Sequence, residues 1–290
     1  MITREKIILN LIHRAGGEVS RLNLVKLAFL FRQESQSDTV KTFYQFLPYL
    51  YGPFSFTLYH ELDDLMQAGM LTAPTENDLR LGDIHPKEYA LPKEIQTEIN
   101  RFWNCYGGYS TSQLVEMTYR HFPWYTLNTQ DPRKRNAALP RAKCAVYTAG
   151  YAGMQVDGFL NLLLQKGIRR LIDVRNNPIS RRYGFHKSTL ERTCQRVGLE
   201  YQHTPELGIP SALRSDLGDW EDYERLFARY EERILPANQE LIRQVAAQAK
   251  TKPSVLICQE ADPTLCHRTR LGKVISKMTG LELLDLGESA

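Results

Sequence analysis

The second half of the sequence alternates between short apolar runs and longer amphipathic runs, and no other feature restricts the possible folds as strongly. Short segments that we predict to be strands lie at 145–150, 169–175, 200–205, 255–258 and 281–286, and most of them have an apolar centre. Runs with helical periodicity lie between them at 155–167, 187–198, 219–235, 238–250 and 265–278. Strands separated by helices form parallel sheets with helices on both faces. We therefore predict a three-layer α/β domain over residues 144–290.

Residues 1–127 follow a different pattern, in which helical periodicity dominates. Two apolar helical stripes come first, and Ser20 is suited to cap the second. An aromatic, strand-like run then ends at Gly52 and Pro53, where the proline suits the first turn of the next amphipathic helix. Residues 70–91 are typical of a small β-wing. The order helix, helix, strand, helix and wing predicts a mainly helical, winged-helix-like recognition domain.

Residues 128–143 separate the two patterns. This segment, NTQDPRKRNAALPRAK, is polar and basic, contains two prolines and shows no sustained hydrophobic period. Such a composition is typical of a linker. A chain of 290 residues is also long enough for two domains of ordinary size.

Composition excludes several classes of protein. No apolar stretch approaches the roughly 18 residues of a membrane span, and the N-terminus lacks the apolar core of a signal peptide. We therefore expect a cytoplasmic protein that does not contact a membrane. The five cysteines are odd in number and irregularly spaced, which argues against a disulfide framework.

The net charge is only +4, but basic residues concentrate in one segment of the second half. Between 169 and 196 there are eight arginines and lysines against Asp173 and Glu191. Such a cluster suits a phosphate backbone, so DNA is the expected partner; a solvated helix face is the alternative. The basic side chains are Arg169, Arg170, Arg175, Arg181, Arg182, Lys187, Arg192 and Arg196.

The stretch VLICQEADPTLCHRTR, residues 255–270, is the strongest candidate for a site. It predicts a buried strand, a loop and a helix start, and ligands of open α/β sheets bind beyond the carboxyl ends of strands. We expect Glu260 to be catalytic for two reasons. It follows a predicted strand, and the acid Asp262 and the basic residues His267 and Arg268 lie close to it in sequence.

Cysteine and histidine in the same stretch suggest two other chemistries. Zinc could be held by Cys258, Cys266 and His267, with His186 as a fourth ligand. The cysteines are eight residues apart and adjacent Cys266 and His267 should diverge on a helix, so we predict no metal and no other cofactor. A thiol mechanism fits a cysteine of lowered pKa at a helix N-terminus, although Cys258 also fits a small buried hydrophobe.

Two other strand ends carry polar residues. Gly150, with Tyr151 and Gly153 after it, could let backbone amides approach a phosphate, or could simply form a tight turn. Asp173 closes a hydrophobic strand, and Arg175 beside it could hold an anion or brace the following loop.

Four segments in register, TAGYAG, LIDVRNNPISRRYGFHKSTL, YQHTPELG and ICQEADPTLCHR, resemble the domain of unknown function family 488 over about residues 145–286. The resemblance implies a Rossmann-like α/β fold whose motif residues gather in one pocket. NLVKLAFLFRQES and LPYLYGPFSFTLYHEL resemble the Panacea, antitoxin-like domain family over about residues 1–120. That resemblance implies a module for recognising a macromolecule, including a protein partner.

Together these features predict a DNA glycosylase, a hydrolase that breaks the N-glycosidic bond of a base, in DNA repair or antiviral defence. Asp173 and Glu260 would activate water or stabilise an oxocarbenium-like sugar. The alternatives are a non-catalytic regulator that senses a nucleotide or oxidant, a nuclease, and a thiol-dependent transferase. Phosphate contacts would come from Arg175, Arg181, Arg182 and Arg268, and stacking on an extruded base from Tyr151, Tyr183, Phe185 and His186.

Overall fold

The computed structural model describes residues 1–35, 42–214 and 218–287 and divides into two compact units, Met1–Ala138 and Leu139–Ala290. The division falls inside the segment expected to be a linker. Part of that segment is bonded to the first unit: Gln130 N donates to Leu50 O at 3.0 Å and Asn136 N donates to Thr126 Oγ1 at 2.8 Å. None of the described helices has both the length and the apolar character needed to span a membrane.

The first unit is mainly helical, with a three-stranded antiparallel sheet in the order β1-β5-β4 and a separate β2–β3 hairpin. The β4–β5 hairpin lies within the predicted wing. The helices are α1 (Thr3–Arg14), α2 (Arg21–Glu34), α3 (Phe56–Gln67), α4 (Lys93–Tyr106) and α5 (Thr111–His121), and the strands are β1 (Glu18–Ser20), β2 (Leu47–Tyr49), β3 (Gly52–Phe54), β4 (Leu71–Thr72) and β5 (Asp78–Leu81).

The turn at Gly52 differs from the sequence prediction. Gly52 has φ +93°, which favours glycine, and it begins β3, so Pro53 lies in a hairpin strand rather than in the next helix. The helix α3 begins later, where Ser55 Oγ accepts a hydrogen bond from Leu58 N at 3.2 Å. Lys26 of α2 is buried and donates to Tyr51 O at 2.5 Å and Pro53 O at 3.1 Å, which ties this hairpin to the helix.

The second unit contains a five-stranded sheet in the order β10-β6-β9-β7-β8, and every neighbouring pair is parallel. The predicted Rossmann-like α/β class is therefore confirmed. The strands are β6 (Val146–Gly150), β7 (Arg170–Asp173), β8 (Glu200–His203), β9 (Ser254–Cys258) and β10 (Leu283–Asp285). The helices are α6 (Val156–Gln165), α7 (Lys187–Arg196), α8 (Trp220–Arg229), α9 (Leu235–Ala237), α10 (Gln239–Thr251) and α11 (His267–Thr279). A π-helical turn, Tyr230–Ile234, joins α8 to α9.

Both faces of this sheet are buried, as three layers require. Ile172 of β7 is opposite Leu256 of β9, and both pack in a core with side chains of α8, α10 and α11. Leu171 and Val255, the preceding pair, are also fully buried and point to the other face because side chains alternate along a strand. The face of the sheet to which a residue at a strand end points therefore decides which other strand-end residues it can contact.

Candidate functional site

The candidate site lies at the carboxyl ends of β6 and β9. Gly150 ends β6 opposite Cys258, which ends β9. A Cβ atom at position 150 would lie 1.8 Å from Glu260 O, so only glycine lets the loop after β9 pass this close. Gly150 thus positions the chain that carries Glu260, rather than presenting amides to a phosphate as one reading of the sequence proposed.

Two cysteines face the Glu260 carboxylate. The Sγ atoms of Cys258 and Cys266 donate to Glu260 Oε2 at 3.0 Å and 3.2 Å. Both cysteines are buried, whereas the Glu260 side chain keeps 29% of its surface exposed. The carboxylate therefore stands between a buried thiol pair and the solvent side of the site.

His267, the first residue of α11, completes this cluster. Its ring is 1% exposed, and its Nε2 lies 3.1 Å from Val174 O. Its Nδ1 lies 3.8 Å from Cys258 Sγ, and the ring packs edge-on against Tyr230 with 5.5 Å between centroids. Because Val174 O can only accept, Nε2 carries a proton, and Nδ1 faces the thiols.

The three acidic groups of the cluster influence one another. The hydrogen bond from Cys266 holds the pKa of the Cys258 thiol well below its usual value, against burial, and His267 adds to this effect. Burial and the nearby Cys258 sulfur raise the pKa of Cys266. Burial raises the pKa of Glu260, and Cys258 raises it further. The thiol of lowered pKa is thus at the strand end, and a thiol mechanism stays a prediction.

A cavity of about 440 Å³ opens beside this cluster. Glu260 and His267 form its polar side, and residues of α8 form much of its apolar side. The lining consists of Ile209, Arg214, Tyr223, Leu226, Phe227, Glu260, Leu265 and His267.

Arg214 supplies the positive charge of the cavity. Its Nη1 lies 3.6 Å from Glu260 Oε1 and its Nη2 lies 3.3 Å from His267 Nδ1. Sequence reasoning missed Arg214 and the aromatic wall of Tyr223 and Phe227. No local pattern marks them, because they reach the site only through the loop after β8 and the packing of α8.

Asp173, the second predicted catalytic residue, is fully buried and its carboxylate is saturated. Arg175 Nε donates to Oδ1 at 2.8 Å, Arg175 Nη2 donates to Oδ2 at 2.5 Å, and Tyr201 Oη donates to Oδ2 at 2.8 Å. Asp173 is opposite Ile257 in the sheet, so by alternation it points to the face opposite Cys258. Asp173 and Glu260 therefore do not share a pocket. The contacts of Asp173 with Arg175 correspond to the alternative given above, in which this pair braces the following loop.

Arg175 and Tyr151 also belong to this buried network instead of a nucleic-acid surface. Arg175 is 5% exposed, and its Nη1 donates to Tyr151 Oη at 2.6 Å and to Phe185 O at 2.9 Å. Burial opposes its charge, but Asp173 raises the Arg175 pKa above its usual value. Tyr151 stacks on Phe185 at 4.0 Å, so the predictions that these rings stack on a base and that Arg175 holds a phosphate were wrong.

Arg268 likewise turns inward. It is fully buried and donates to Glu260 O at 2.5 Å, to Ala261 O at 3.1 Å and to Asp285 Oδ2 at 3.2 Å. It therefore holds the loop after β9 against β10, and the expectation of a phosphate contact was wrong. Asp262 is exposed and caps a short 3-10 turn through Thr264 N, so it lies at the rim of the loop.

The other predicted contact residues lie after β7. Arg181, Arg182 and His186 are exposed, and Tyr183 is half-buried. Arg182 Nη1 donates to Met154 O at 2.7 Å, and His186 Nδ1 lies 3.2 Å from Ser188 Oγ. Their roles in nucleic-acid contact stay predictions.

The adjacent residues Cys266 and His267 converge, although the sequence suggested that they would diverge. Cys266 precedes α11 in an extended conformation, with φ −134° and ψ 135°, so the two side chains do not follow helical spacing. The donor atoms of Cys258, Cys266 and His267 all lie within 4.8 Å of one another. His186 is not part of this group.

Fold and site together define the second unit as a parallel α/β domain in which buried Cys258, Cys266 and His267 and half-buried Glu260 cluster at one sheet edge. Residues 155–275 match the family model described as Domain of unknown function DUF488. This match confirms the resemblance that the motifs of the second unit indicated, while the Panacea-like resemblance of the first unit stays a prediction. No curated protein and no solved structure matches the chain.

Proposed function

We propose that the second unit is a nucleic-acid-directed hydrolase that breaks the N-glycosidic bond of a base in DNA, with Glu260 as its acid–base residue. The observation that carries this proposal is the position of Glu260, whose carboxylate lines a cavity of about 440 Å³. Water would give a proton to Glu260 as its oxygen bonds to the sugar carbon, and that proton would leave with the released base.

The shape and lining of the cavity support a base as the ligand. Pockets for small ligands are usually about 300–1,000 Å³ and combine apolar walls with a few polar groups. Tyr223 and Phe227 offer aromatic surface to a flat ring. Arg214 Nε is buried and has no hydrogen-bond partner among the described residues, so a ligand acceptor would satisfy it.

The exposed cations after β7 support a nucleic acid as the larger substrate. Arg181 and Arg182 lie in the loop that leaves the same edge of the sheet as the loop of Glu260. Lys187, Arg192 and Arg196 are exposed on α7. Contacts from such side chains to phosphates would hold the strand in position, while the cavity would receive one base.

The test is incubation of the full chain with single-stranded and duplex DNA that carries normal or modified bases. Released bases are identified by mass spectrometry, and abasic sites by cleavage in alkali. We expect Glu260→Gln to reduce release by roughly 10²–10⁴-fold, the range for loss of an acid–base group. The matched control is Glu224→Gln, the same change at an exposed position of α8, which should leave release unchanged.

A failure to release any base from any of these substrates would contradict the proposal. DNA binding without release would instead favour the non-catalytic regulator, and strand cleavage without an abasic intermediate would favour the nuclease.

Thiol-dependent transfer is the second candidate, because Cys258 Sγ lies 3.8 Å from His267 Nδ1. A transferase of this kind forms a covalent adduct on its cysteine. Mass spectrometry of Cys258 peptides after reaction distinguishes the two candidates, since the hydrolase leaves this thiol unmodified. An adduct on Cys258 whose formation does not require Glu260 would replace the first proposal.

A further inference from the structure

The Cys258, Cys266 and His267 cluster has the composition of a metal site. Two sulfur atoms and one imidazole nitrogen lie within 4.8 Å of one another, and all three residues are buried. Thiolate and imidazole are the ligands that Zn²⁺ prefers in proteins, and three protein ligands with one open position are typical of catalytic zinc.

The backbone brings the three ligands together from two elements. Cys258 ends β9, whereas Cys266 and His267 mark the start of α11. The change from extended backbone at Cys266 to helix at His267 turns two neighbouring side chains toward one point. The loop between β9 and α11 is itself held by Arg268, which bonds two of its carbonyl groups.

The orientation of the His267 ring is fixed as a ligand requires. A metal-bound histidine usually donates its other N–H to a carbonyl or carboxylate, which sets the tautomer and ring direction. Here Nε2 lies 3.1 Å from Val174 O, so the lone pair of Nδ1 is directed at the cluster. Arg214 Nη2, 3.3 Å from Nδ1, is the group that an ion would displace, and this side chain is 31% exposed and lines the cavity.

The position of Glu260 adds chemistry to this site. Its Oε2 lies 3.0 Å and 3.2 Å from the two sulfur atoms, and its carboxylate also lines the cavity. In the zinc deaminases, which act on the base ring itself, Cys and His ligands hold the ion while a nearby glutamate that is not a ligand moves the proton.

We infer that Cys258, Cys266 and His267 bind a zinc ion whose remaining position faces the cavity beside Glu260. Zinc there would lower the pKa of a bound water, and the Glu260 carboxylate would accept the proton of that water as its oxygen bonds to the sugar carbon and pass it to the base as the bond from carbon to nitrogen breaks. The metal site rests on the ligand geometry alone and not on the identity of the reaction.

The test uses the full chain, purified without chelators, and zinc alone as the probe. We expect about one zinc ion per chain by elemental mass spectrometry. Replacement of zinc by Co²⁺ should give thiolate-to-cobalt charge-transfer absorption, which reports sulfur ligation directly. Cys266→Ser should weaken zinc binding by more than the roughly 10- to 100-fold that loss of an outer hydrogen-bond partner costs.

The matched control is Cys144→Ser, the same change at an exposed cysteine outside the cluster, which should keep its zinc. Circular dichroism checks that each variant folds, and if Cys266→Ser does not, the cobalt spectrum of the unchanged chain decides. Absence of zinc uptake and of cobalt–thiolate absorption, zinc binding unaffected by Cys266→Ser, or a Cys258–Cys266 disulfide in the native chain would each overturn the site.

Metal binding and base release can fail separately. Zinc binding without base release would leave the metal site standing and contradict the glycosidic reaction. Base release by a chain shown to contain no metal would support the glycosidic reaction and contradict the metal site.

Discussion

At the scale of single residues, two carboxylates with similar sequence settings have different surroundings. Asp173 and Glu260 both follow apolar strands, and both were expected to be catalytic. Asp173 is fully buried and receives hydrogen bonds from Arg175 and Tyr201, whereas Glu260 lines a cavity and receives bonds from two thiols. A carboxylate whose oxygens already accept several hydrogen bonds is suited to holding the neighbouring loop in place. A carboxylate at a cavity wall is suited to proton transfer with a ligand.

Replacing Asp173 should therefore affect stability more than chemistry. Asp173→Asn leaves Arg175 buried without its counter-charge, and loss of one partner of a buried ion pair costs about 3–5 kcal/mol. We expect a lower free energy of unfolding in urea, while the folded variant releases base at the same kcat as the unchanged chain. A variant of normal stability that releases no base would show instead that Asp173 takes part in the reaction.

At the scale of elements, the strand register separates two residues, Asp173 and Cys258, that the sequence assigned to one site. Strand and helix positions follow from hydrophobic periodicity, so the order of elements in the second unit was predictable from the sequence. The sheet order and the register were not, because they depend on contacts between distant segments. Asp173 is opposite Ile257, and this register sends it to the opposite face from Cys258. A difference of one residue thus divides the predicted site.

The start of α11 shows a second limit of periodicity. Cys266 and His267 were expected to diverge because a helix separates neighbours, and the structure has only His267 inside the helix. The exact first residue of a helix is poorly determined by sequence patterns. At this site, that boundary decides whether the side chains of Cys266 and His267 converge.

The contact between α2 and the β2–β3 hairpin predicts a dependence of stability on pH. Burial lowers the pKa of Lys26 from 10.5 to about 7. Above pH 7 the unfolded chain therefore holds a proton that the folded chain has lost, so the free energy of unfolding should rise from pH 7 to about 10. Lys26→Met removes the titrating group and should remove this rise.

Denaturation followed by tryptophan fluorescence measures this effect in a Trp220→Phe background, because the two remaining tryptophans, Trp103 and Trp124, lie in the first unit. The quantity to compare is the difference in unfolding free energy between the unchanged chain and Lys26→Met at each pH. A difference that stays constant from pH 7 to 10 would show that Lys26 remains charged when buried, held by Tyr51 O and Pro53 O.

At the scale of the whole molecule, two units of different architecture occupy one chain. The composition changes at residues 128–143, and the division between the compact units falls at residues 138 and 139. We expected a division in this segment because periodicity changes there from helical runs to alternating strands and helices. The sequence could not identify Arg214, Tyr223 and Phe227, whose approach to Glu260 depends on the tertiary fold of the second unit.

If the proposed substrate is DNA, the basic residues after β7 should set part of its salt dependence. Replacing Arg181 and Arg182 together by alanine removes two exposed cations. The slope of log affinity against log salt concentration should then become smaller in magnitude by about 2, because each phosphate contact contributes about 0.9. Fluorescence anisotropy with a labelled oligonucleotide measures this slope.

The control for this experiment is Arg229→Ala, which removes an exposed cation of α8. Its slope should match that of the unchanged chain. An unaltered slope for the double variant would direct the search for the DNA contact to other surfaces, including those of the first unit.

The close approach of Glu260 to Gly150 has a consequence for how the domain can diversify. A Cβ atom at position 150 would lie 1.8 Å from Glu260 O, so backbone meets backbone here with no side chain between them. The carboxylate is consequently placed by the central strands and by Arg268, both of which are remote from the cavity rim. We therefore expect that loops at that rim can change in length without moving the Glu260 carboxylate.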